Sequence, residues 1–408
     1  MFYLYEFFVR VAPSVMEPEL QRAFHLSPAL LGGALGAYFY IYAPVQLVVG
    51  WSLDRLGAKR VLVPAILLVA GGCFLEAFGH SVTLLVTARL LQGLGSAFAF
   101  VGTMYLATQW FPPRKLALLA GLTTSLGMLG AIGVNSGLVE LVQIVGWRST
   151  LWGAGVAGIG VAILVFILVP HEKPPAEKSV GAALEAEVHS LVKSLRIVCT
   201  NSQTWLSAIV ATALYMPLTL LGALWGVEYV ATVTHEDKLQ ASGAISMIYV
   251  GWLIFGPFAG WLSDRVGRRR ILLIASSVLT LLASGFLLLF ANMPLWAVYV
   301  LMLLVGIVSS PQSVSFVVAV EHNPRSVSGT AIAVVNMLVM LIGGLCMPLF
   351  GYLLQWATPG GGDDYTPLAY RTAMILLPAS MLLSLLACLF LKESRHHRKL
   401  PDYVEPMG

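Results

Sequence analysis

Charge is what this 408-residue sequence has least of, because Lys, Arg, Asp and Glu together make up only 11% of it. An ordinary soluble domain has about a quarter of its residues charged. The hydrophobic fraction is 58% and the mean hydropathy is +0.83, so most apolar side chains are expected to face lipid. These values exclude a soluble enzyme and indicate a multi-pass membrane protein.

Cysteine and metal-binding patterns are scarce as well. The four cysteines are scattered and the eight histidines never fall at ligand spacing, so neither a disulfide framework nor a metal site is indicated. A P-loop and a His-Glu-x-x-His motif are missing from the sequence. The glycines of 153–158 fit the dinucleotide pattern but lie inside an apolar helix without a preceding strand, which favours helix packing. We therefore expect no enzymatic activity, cofactor, metal or nucleic acid.

Apolar stretches of about 20 residues, the length needed to cross a bilayer, recur throughout the sequence. The expected class is an all-α membrane protein with twelve transmembrane helices in two six-helix bundles. The twelve segments are roughly 1–22, 28–50, 61–79, 82–106, 116–142, 149–170, 203–229, 241–262, 271–291, 294–319, 328–355 and 370–391.

The distribution of Lys and Arg sets the expected orientation. Most of them fall in alternate connections, and the positive-inside rule places those connections and both termini in the cytoplasm. These basic stretches are 55–60, 114–115, 173–196, 265–270, residue 325 and 392–399. Glu6 and Arg10 interrupt the first apolar run, so a cleavable signal peptide is not indicated, and we expect a very short or trimmed leader before the first span.

One long polar connection divides the sequence. The expected units are an N-terminal bundle over 1–170, a cytoplasmic linker over 171–202, a C-terminal bundle over 203–391 and a cytoplasmic tail over 392–408. Leu184, Val188 and Leu195 recur at helical spacing in the linker, which predicts an amphipathic helix on the membrane surface. A disordered linker is the alternative.

The two halves repeat a short charged loop. Residues 50–60 read GWSLDRLGAKR and residues 260–270 read GWLSDRVGRRR. A carboxylate at the end of a helix can pair with nearby guanidinium groups, and small residues allow close backbone approach, so the loops are candidates for a latch that opens and closes. Basic residues that merely obey the positive-inside rule would not explain the paired Gly and Asp. The candidate gating residues are Gly50, Asp54, Arg55, Gly57, Arg60, Gly260, Asp264, Arg265, Gly267 and Arg268.

This repeated loop, the span count and the central linker resemble the major facilitator superfamily of transporters. Arg89-Leu90-Leu91-Gln92-Gly93 is similar to a motif of the same superfamily. The resemblance implies alternating access to a site between the two halves. The opening run 8–16, the Tyr-rich second span and residues 110–114 look like the branch that contains the phagosomal nutrient transporters of intracellular bacteria. That similarity implies uptake of amino acids or short peptides together with protons, in the bacterial inner membrane.

Polar and aromatic side chains inside the apolar segments are the candidates for the transport site, since an ionisable residue within a span is functional by default. A static Glu6–Arg10 pair, an Arg89 that only reaches towards the interface, and aromatic residues that only pack are the alternatives. The candidate proton-coupling residues are Glu6, Arg10, Arg89 and Glu228. The candidate substrate-binding residues are Arg10, Tyr38, Tyr42, Gln46, Asn135, Tyr215, Trp225, Tyr249, Gln312 and Asn336.

The sequence thus predicts a secondary active transporter that takes up a small zwitterionic nutrient with protons. The expected partners are the small-molecule substrate, protons and membrane lipids, and the expected state is a monomer. An exporter or uniporter of another small organic solute is the alternative within the same class. A transport-inactive receptor or scaffold is the alternative outside it, although such a protein would not need two gating loops and ionisable residues inside the membrane.

Overall fold

The computed structural model describes residues 1–110, 116–170, 192–289, 293–324, 327–358 and 365–393. Every regular element in these ranges is a helix, as expected from the apolar periodicity and length of the segments. The expected amphipathic linker helix falls mostly on residues outside the described ranges, and so does most of the tail.

The first half contains eight α-helices, one 3₁₀ turn and one π-helical turn among its described residues. They are α1 Phe2–Val11, a 3₁₀ turn Ala12–Val15, α2 Glu17–Phe24, α3 Pro28–Leu56, α4 Ala58–Phe78, α5 Val82–Trp110, α6 Leu116–Gly133, a π-helical turn Val134–Leu138, α7 Val139–Val145 and α8 Trp147–Leu168.

A short helix, α9, covers 192–200 and leads into the second half. The helices that follow in the described residues are α10 Ser202–Pro217, a π-helical segment Leu218–Trp225, α11 Gly226–Thr234, α12 Lys238–Val266, α13 Arg269–Leu289, α14 Leu295–Ser309, α15 Gln312–Glu321, α16 Ser328–Trp356, α17 Pro367–Met374 and α18 Leu376–Phe390.

Ten helical stretches of the described residues are long and apolar enough to cross a membrane. Of the other two expected spans, 1–22 is divided into α1, the 3₁₀ turn and α2, whereas 116–142 continues through α6, the π-helical turn and α7. The count of twelve is not confirmed by helix length. In the segment 1–22, Pro13 and Pro18 lie in the first turns of the 3₁₀ turn and of α2. Proline lacks the amide donor of a continuous helix and its ring clashes with the preceding turn, which divides the segment.

The two halves meet along α3 and α16, where small residues let the backbones come close. A Cβ atom on Gly32 of α3 would lie 2.6 Å from the carbonyl oxygen of Met347, and one on Gly351 of α16 would collide with Pro28. Further along, the Tyr40 hydroxyl donates a hydrogen bond of 3.1 Å to the carbonyl oxygen of Gly344. Helices α6 and α12 form a second contact between the halves.

Helix α9 packs beneath this seam. Val198 is buried in a cluster with Ala331 and Val334 of α16, and Leu47 of α3 and Leu195 of α9 pack against it. The C-terminal part of α3 and the N-terminal part of α16 are therefore joined through apolar contacts with α9.

Candidate functional site

A buried ion pair lies on α1. Glu6 and Arg10 are one turn apart on this helix, and their side chains form a salt bridge. Glu6 is fully buried and Arg10 is only 4% exposed. Two buried charges are stabilised only by their mutual attraction and by further hydrogen bonds. Neighbouring side chains of the site supply these hydrogen bonds.

Tyrosine hydroxyl groups from both halves contact this pair. The Tyr38 hydroxyl on α3 donates a hydrogen bond of 2.5 Å to Glu6 Oε1, and Arg10 Nε donates to the Tyr38 hydroxyl at 3.5 Å. Arg10 Nη1 donates to the Tyr215 hydroxyl on α10 at 3.2 Å. Arg10 thereby links the first half of the chain to the second.

Aromatic rings surround the Arg10 guanidinium. Its central carbon lies 4.6 Å from the ring centre of Phe7, 5.2 Å from that of Tyr42 and 5.7 Å from that of Tyr38. Tyr38 and Tyr42, one turn apart on α3, are stacked on each other. Such rings stabilise a desolvated cation through their negative faces.

A second guanidinium approaches the same tyrosine. Arg89 on α5 lies 5.0 Å from the ring centre of Tyr38, and its Nη1 donates to Gln92 Oε1 at 2.7 Å and to the Val9 carbonyl at 3.4 Å. The Gln92 amide in turn donates to Glu76 Oε2 at 2.8 Å. These contacts make a continuous polar chain from Glu76 to the Glu6–Arg10 pair.

Glu76 is the functional candidate that the sequence analysis missed. It lies near the end of α4 and is only 1% exposed. The signal that identified Glu6, an acidic residue inside an apolar segment, also applies to Glu76. Its partner on α5 is distant in sequence, however, so no local spacing marks it.

A small enclosed cavity adjoins Arg10 between the halves. It holds about 10 Å³, scarcely the space of one water molecule, so the site is closed around its own side chains. Among the described residues, Glu6 Oε2 beside it has no hydrogen-bond partner. The cavity is lined by Phe7, Arg10, Val11, Phe39, Tyr215, Leu218, Thr219, Ala223 and Tyr249.

Two amide candidates join the halves away from this cavity. Asn336 on α16 donates a hydrogen bond of 3.0 Å to Gln46 Oε1 on α3, and the Gln46 amide faces the Ala97 carbonyl at 3.5 Å. They form a polar contact between the halves rather than part of the Arg10 cluster. Gln312 is buried at the start of α15 and is not among the residues that line the cavity.

Two further candidates also lie apart from the cluster. Trp225 is fully buried and stacks on Phe350, with 5.4 Å between ring centres. Glu228 pairs with Lys238 at 3.0 Å, and Lys238 also reaches Glu19 of the first half at 3.4 Å. The side chain of Asn135 lies outside the described part of the chain.

These charges border a wide cavity on the expected outer side. Its volume is about 710 Å³, and residues of both halves line it, including Glu17, Arg22, Glu228 and Lys238. The cavity has the size of a small-molecule site and gives the expected outer entrance a mixed charge.

Each repeated loop contains a glycine with a positive φ, although the ψ values differ, at 152° for Gly57 and 12° for Gly267. Gly57 and Gly267 end α3 and α12 with φ values of +79° and +65°, a conformation that glycine adopts without steric cost. Arg60 and Arg268 are exposed, and Arg265 lies 5.3 Å from the ring centre of Trp261. Gly260 is half-buried with open space around it. The side chains of Gly50, Asp54, Arg55 and Asp264 lie outside the described part of the chain.

A neighbouring arginine makes the ordered ion pair at the second loop. Arg269 is 5% exposed, and its Nη2 lies 2.8 Å from Glu321 Oε1 at the end of α15. Its Nη1 donates to Ser263 Oγ at 3.0 Å. The sequence analysis chose Arg268 from the motif and overlooked this partner, which is distant in sequence.

Two helical halves that enclose buried ionisable groups at their seam define a membrane transporter. The family comparison gives the same class, since the profile of the Major Facilitator Superfamily matches residues 2–230 and 208–406. The chain belongs to this superfamily.

Several curated relatives of the chain are named as transporters of anions or sugar acids. The probable sulfoacetate transporter SauU of Cupriavidus necator is 25% identical over 72% of this chain and 70% of its own length. The probable galactarate/D-glucarate transporter GudP of Escherichia coli is 22% identical over 85% of this chain and 83% of its own. Among solved structures, a mutant of the nucleoside transporter NupG superposes with a TM-score of 0.73 at 14% identity, covering 96% of this chain and 98% of its own. That likeness concerns the fold.

Proposed function

We propose that the chain is a secondary active transporter that carries a small organic anion together with protons by alternating access. One observation carries the proposal. Arg10 is buried at the seam of the two halves, bonded to Tyr38 of the first and Tyr215 of the second, beside a carboxylate with one free oxygen. A guanidinium presents paired donors that fit a carboxylate or sulfonate.

An anion fits this site better than the zwitterion expected from the sequence. An ammonium group would need a free aromatic face or a carboxylate. Arg10 lies against the rings of Tyr38 and Tyr42, Trp225 is stacked on Phe350, and the Glu6 carboxylate already pairs with Arg10. The names of the curated relatives, which carry sulfoacetate and sugar acids, support the same choice. Amino acid uptake stays a prediction of the sequence alone.

Glu6 is the proposed proton carrier. A substrate carboxylate that binds Arg10 competes with Glu6 for the same guanidinium, and two carboxylates sharing one cation favour protonation of one of them. Binding of an anion would thus be linked to uptake of a proton at Glu6. Arg89, through its contact with Tyr38, is proposed to add the second positive charge of the site.

The proposed architecture completes the twelve spans with the segments 1–22 and 116–142. The bundles 1–170 and 203–391 move against each other, the linker 171–202 and both termini face the cytoplasm of a bacterial cell, and the repeated loops act as the inner gate. Gln46 and Asn336 are proposed to join the bundles below the site. The working unit is a monomer in the inner membrane.

Uptake by proteoliposomes with an imposed proton gradient tests the proposal. The substrate panel is sulfoacetate, D-galactonate, D-glucarate and, as a zwitterion, glycine. We expect accumulation of at least one anion when the outside is acidic, its loss in Glu6→Gln with counterflow exchange retained, and loss of binding in Arg10→Ala.

Several outcomes would contradict it. Gradient-driven accumulation by Glu6→Gln would show that Glu6 is not the proton carrier. Accumulation of glycine alone would indicate that the substrate is a zwitterion, as the sequence predicted. Uptake that ignores the proton gradient would indicate a uniporter, and movement only out of acidic vesicles an exporter. Binding without transport of the solute would indicate a transport-inactive receptor.

A further inference from the structure

Two buried side chains that connect to Arg89, those of Gln92 and Glu76, have no role in the proposed transport mechanism. Glu76, Gln92 and Arg89 are at most 2% exposed, and each is bonded to the next at 2.7 to 2.8 Å. A carboxylate buried in a membrane protein is costly, so a residue that only packed would be served better by an apolar side chain. Its charge needs an explanation.

Gln92 links the Glu76 carboxylate to Arg89 through hydrogen bonds. Its carbonyl oxygen accepts from Arg89, which leaves its amide group to donate to Glu76. Glu76 supplies the short oxygen acceptor for this amide, and Cys73 Sγ at 3.8 Å is a weaker second acceptor. These hydrogen bonds hold Arg89 beside the Tyr38 ring. Arg89 Nε has no hydrogen-bond partner among the described residues.

The net charge of the cluster follows from its four ionisable groups. Arg10 and Arg89 supply two positive charges, and Glu6 and Glu76 supply two negative charges when both are ionised. Once Glu6 holds the transported proton, the cluster carries a single positive charge. That charge matches a monovalent anion and leaves one charge of a divalent anion uncompensated at a site enclosed by protein, where unpaired charge is expensive.

We infer that Glu76 is a specificity-determining residue of the transport site, which acts through Gln92 and Arg89 to favour monovalent over divalent anions. This preference would distinguish the chain from the relatives SauU and GudP, which are named for the divalent anions sulfoacetate and galactarate/D-glucarate. The inference rests on the proposed function, because it takes Glu6 as the proton carrier and Arg10 as the anion ligand. Glu76 itself is a positioning residue, since Gln92 and Arg89 separate it from the cavity.

The test compares the dissociation constants of matched anion pairs in the purified full-length protein. The probes are propionate with succinate and D-gluconate with D-glucarate, each measured at one pH by ligand-induced thermal stabilisation. The wild type is expected to prefer the monovalent member of each pair. Glu76→Gln keeps the shape and the acceptor for Gln92, and we expect it to move the preference towards the divalent member by about tenfold, as one charge at roughly 10 Å would in a medium of effective dielectric 20.

Matched variants separate charge from packing. Glu76→Asp keeps the charge and is expected to keep the wild-type ratio. Glu140→Gln removes an exposed acid of α7 and should leave the ratio unchanged. If Glu76→Gln fails to fold, Gln92→Leu removes the hydrogen-bonded link between Glu76 and Arg89 while Glu76 stays in place. We then expect a smaller shift of the preference towards the divalent anions.

The outcomes distinguish the two proposals. A general structural role would weaken both members of each pair in proportion, and an unchanged ratio in folded Glu76→Gln or Gln92→Leu would overturn the inference alone. A wild type that prefers the divalent members would overturn it as well. A wild type that binds none of the four anions would overturn the inference, whereas the proposed function fails only when sulfoacetate and D-galactonate are not taken up either.

Discussion

Tyr38 has two separable parts at the centre of the site. Its hydroxyl donates to Glu6, while its ring lies within 6 Å of both buried guanidinium groups. The hydroxyl acts chiefly on the carboxylate, since its 2.5 Å bond to Glu6 is much shorter than the 3.5 Å contact from Arg10 Nε, and the ring acts on the cations. Few positions offer such a division between proton chemistry and anion binding.

The substitution Tyr38→Phe tests that division. The ring stays, so we expect the dissociation constant of the anion to change by less than about threefold. The lost hydrogen bond to a charged group is worth roughly 1.5–3 kcal/mol, and proton-driven accumulation should fall about tenfold or more. Uptake and binding in proteoliposomes measure the two effects.

Tyr229→Phe is the matched control, because the Tyr229 hydroxyl donates to the Leu287 carbonyl away from the site. It should leave the pH profile of uptake unchanged. Equal loss of binding and accumulation in Tyr38→Phe would contradict the separate roles.

Local spacing predicted part of the site and missed the rest. Glu6 with Arg10 and Tyr38 with Tyr42 lie one helical turn apart, so their shared faces follow from helix geometry. Glu76 meets Gln92 only because α4 packs against α5, and Arg269 meets Glu321 for a similar reason. Contacts between helices depend on packing that no local pattern in one sequence records.

At the scale of the helix, the outer half of the α3–α16 contact rests on glycine. Gly32 and Gly33 are neighbours on α3, yet only Gly32 faces the other half closely. A Cβ on Gly33 would meet its nearest atom, in Pro348, at 3.9 Å. Gly32 and Gly33 therefore serve as the test and control positions for a substitution on the same helix.

The substitution Gly32→Ala is expected to push α3 away from α16 and to favour opening of the outer side. Overpacking of this kind costs about 1–3 kcal/mol. A lower melting temperature and faster labelling of an introduced cysteine in the outer cavity would show it. Gly33→Ala meets no obstruction and gains helix propensity, by up to about 1 kcal/mol, so its melting temperature should not fall. Equal destabilisation by both substitutions would show that the close contact at Gly32 is not responsible.

Lys238 makes an ionic contact between the halves at the outer cavity. Its ammonium lies 3.4 Å from Glu19 and 3.0 Å from Glu228. We expect Lys238→Met to increase outward opening, by no more than about 1 kcal/mol because the groups are partly exposed. A double-mutant cycle with Glu19→Gln, read by cysteine labelling in the outer cavity, measures the coupling. Glu236→Gln, an exposed neighbour, is the control, and additive effects in the cycle would exclude an interaction.

The interrupted segment 1–22 shows where helix prediction reached its limit. Apolar length predicted the ten stretches that the structure contains as long helices. It also predicted the segment 1–22 as one span, where the structure has the 3₁₀ turn Ala12–Val15 between α1 and α2. Hydropathy counts residues and does not detect where the backbone hydrogen bonds change partners.

On the scale of the whole molecule, the orientation follows from positive charge alone and is directly testable. In a variant whose native cysteines are replaced by serine, single cysteines at Gln143 and His235 should react with a membrane-impermeant reagent in intact cells. Cysteines at Arg60 and Arg268 should react only after permeabilisation. The wild-type Cys199, which is exposed, should also resist the impermeant reagent. Labelling of the last three positions in intact cells would reverse the topology.

The contact between Tyr215 and Trp252 has an optical consequence. Tyr215 meets Trp252 edge to face at 5.7 Å, and the indole donates to Ser309 at 2.9 Å. The Tyr215 hydroxyl is the group that an anion entering between Arg10 and the second half would displace. An indole chromophore therefore lies one ring away from the binding event, and its emission would change as that ring moves. Trp252, one of the ten tryptophans of the chain, is thus expected to change its fluorescence when an anion occupies the proposed site at Arg10.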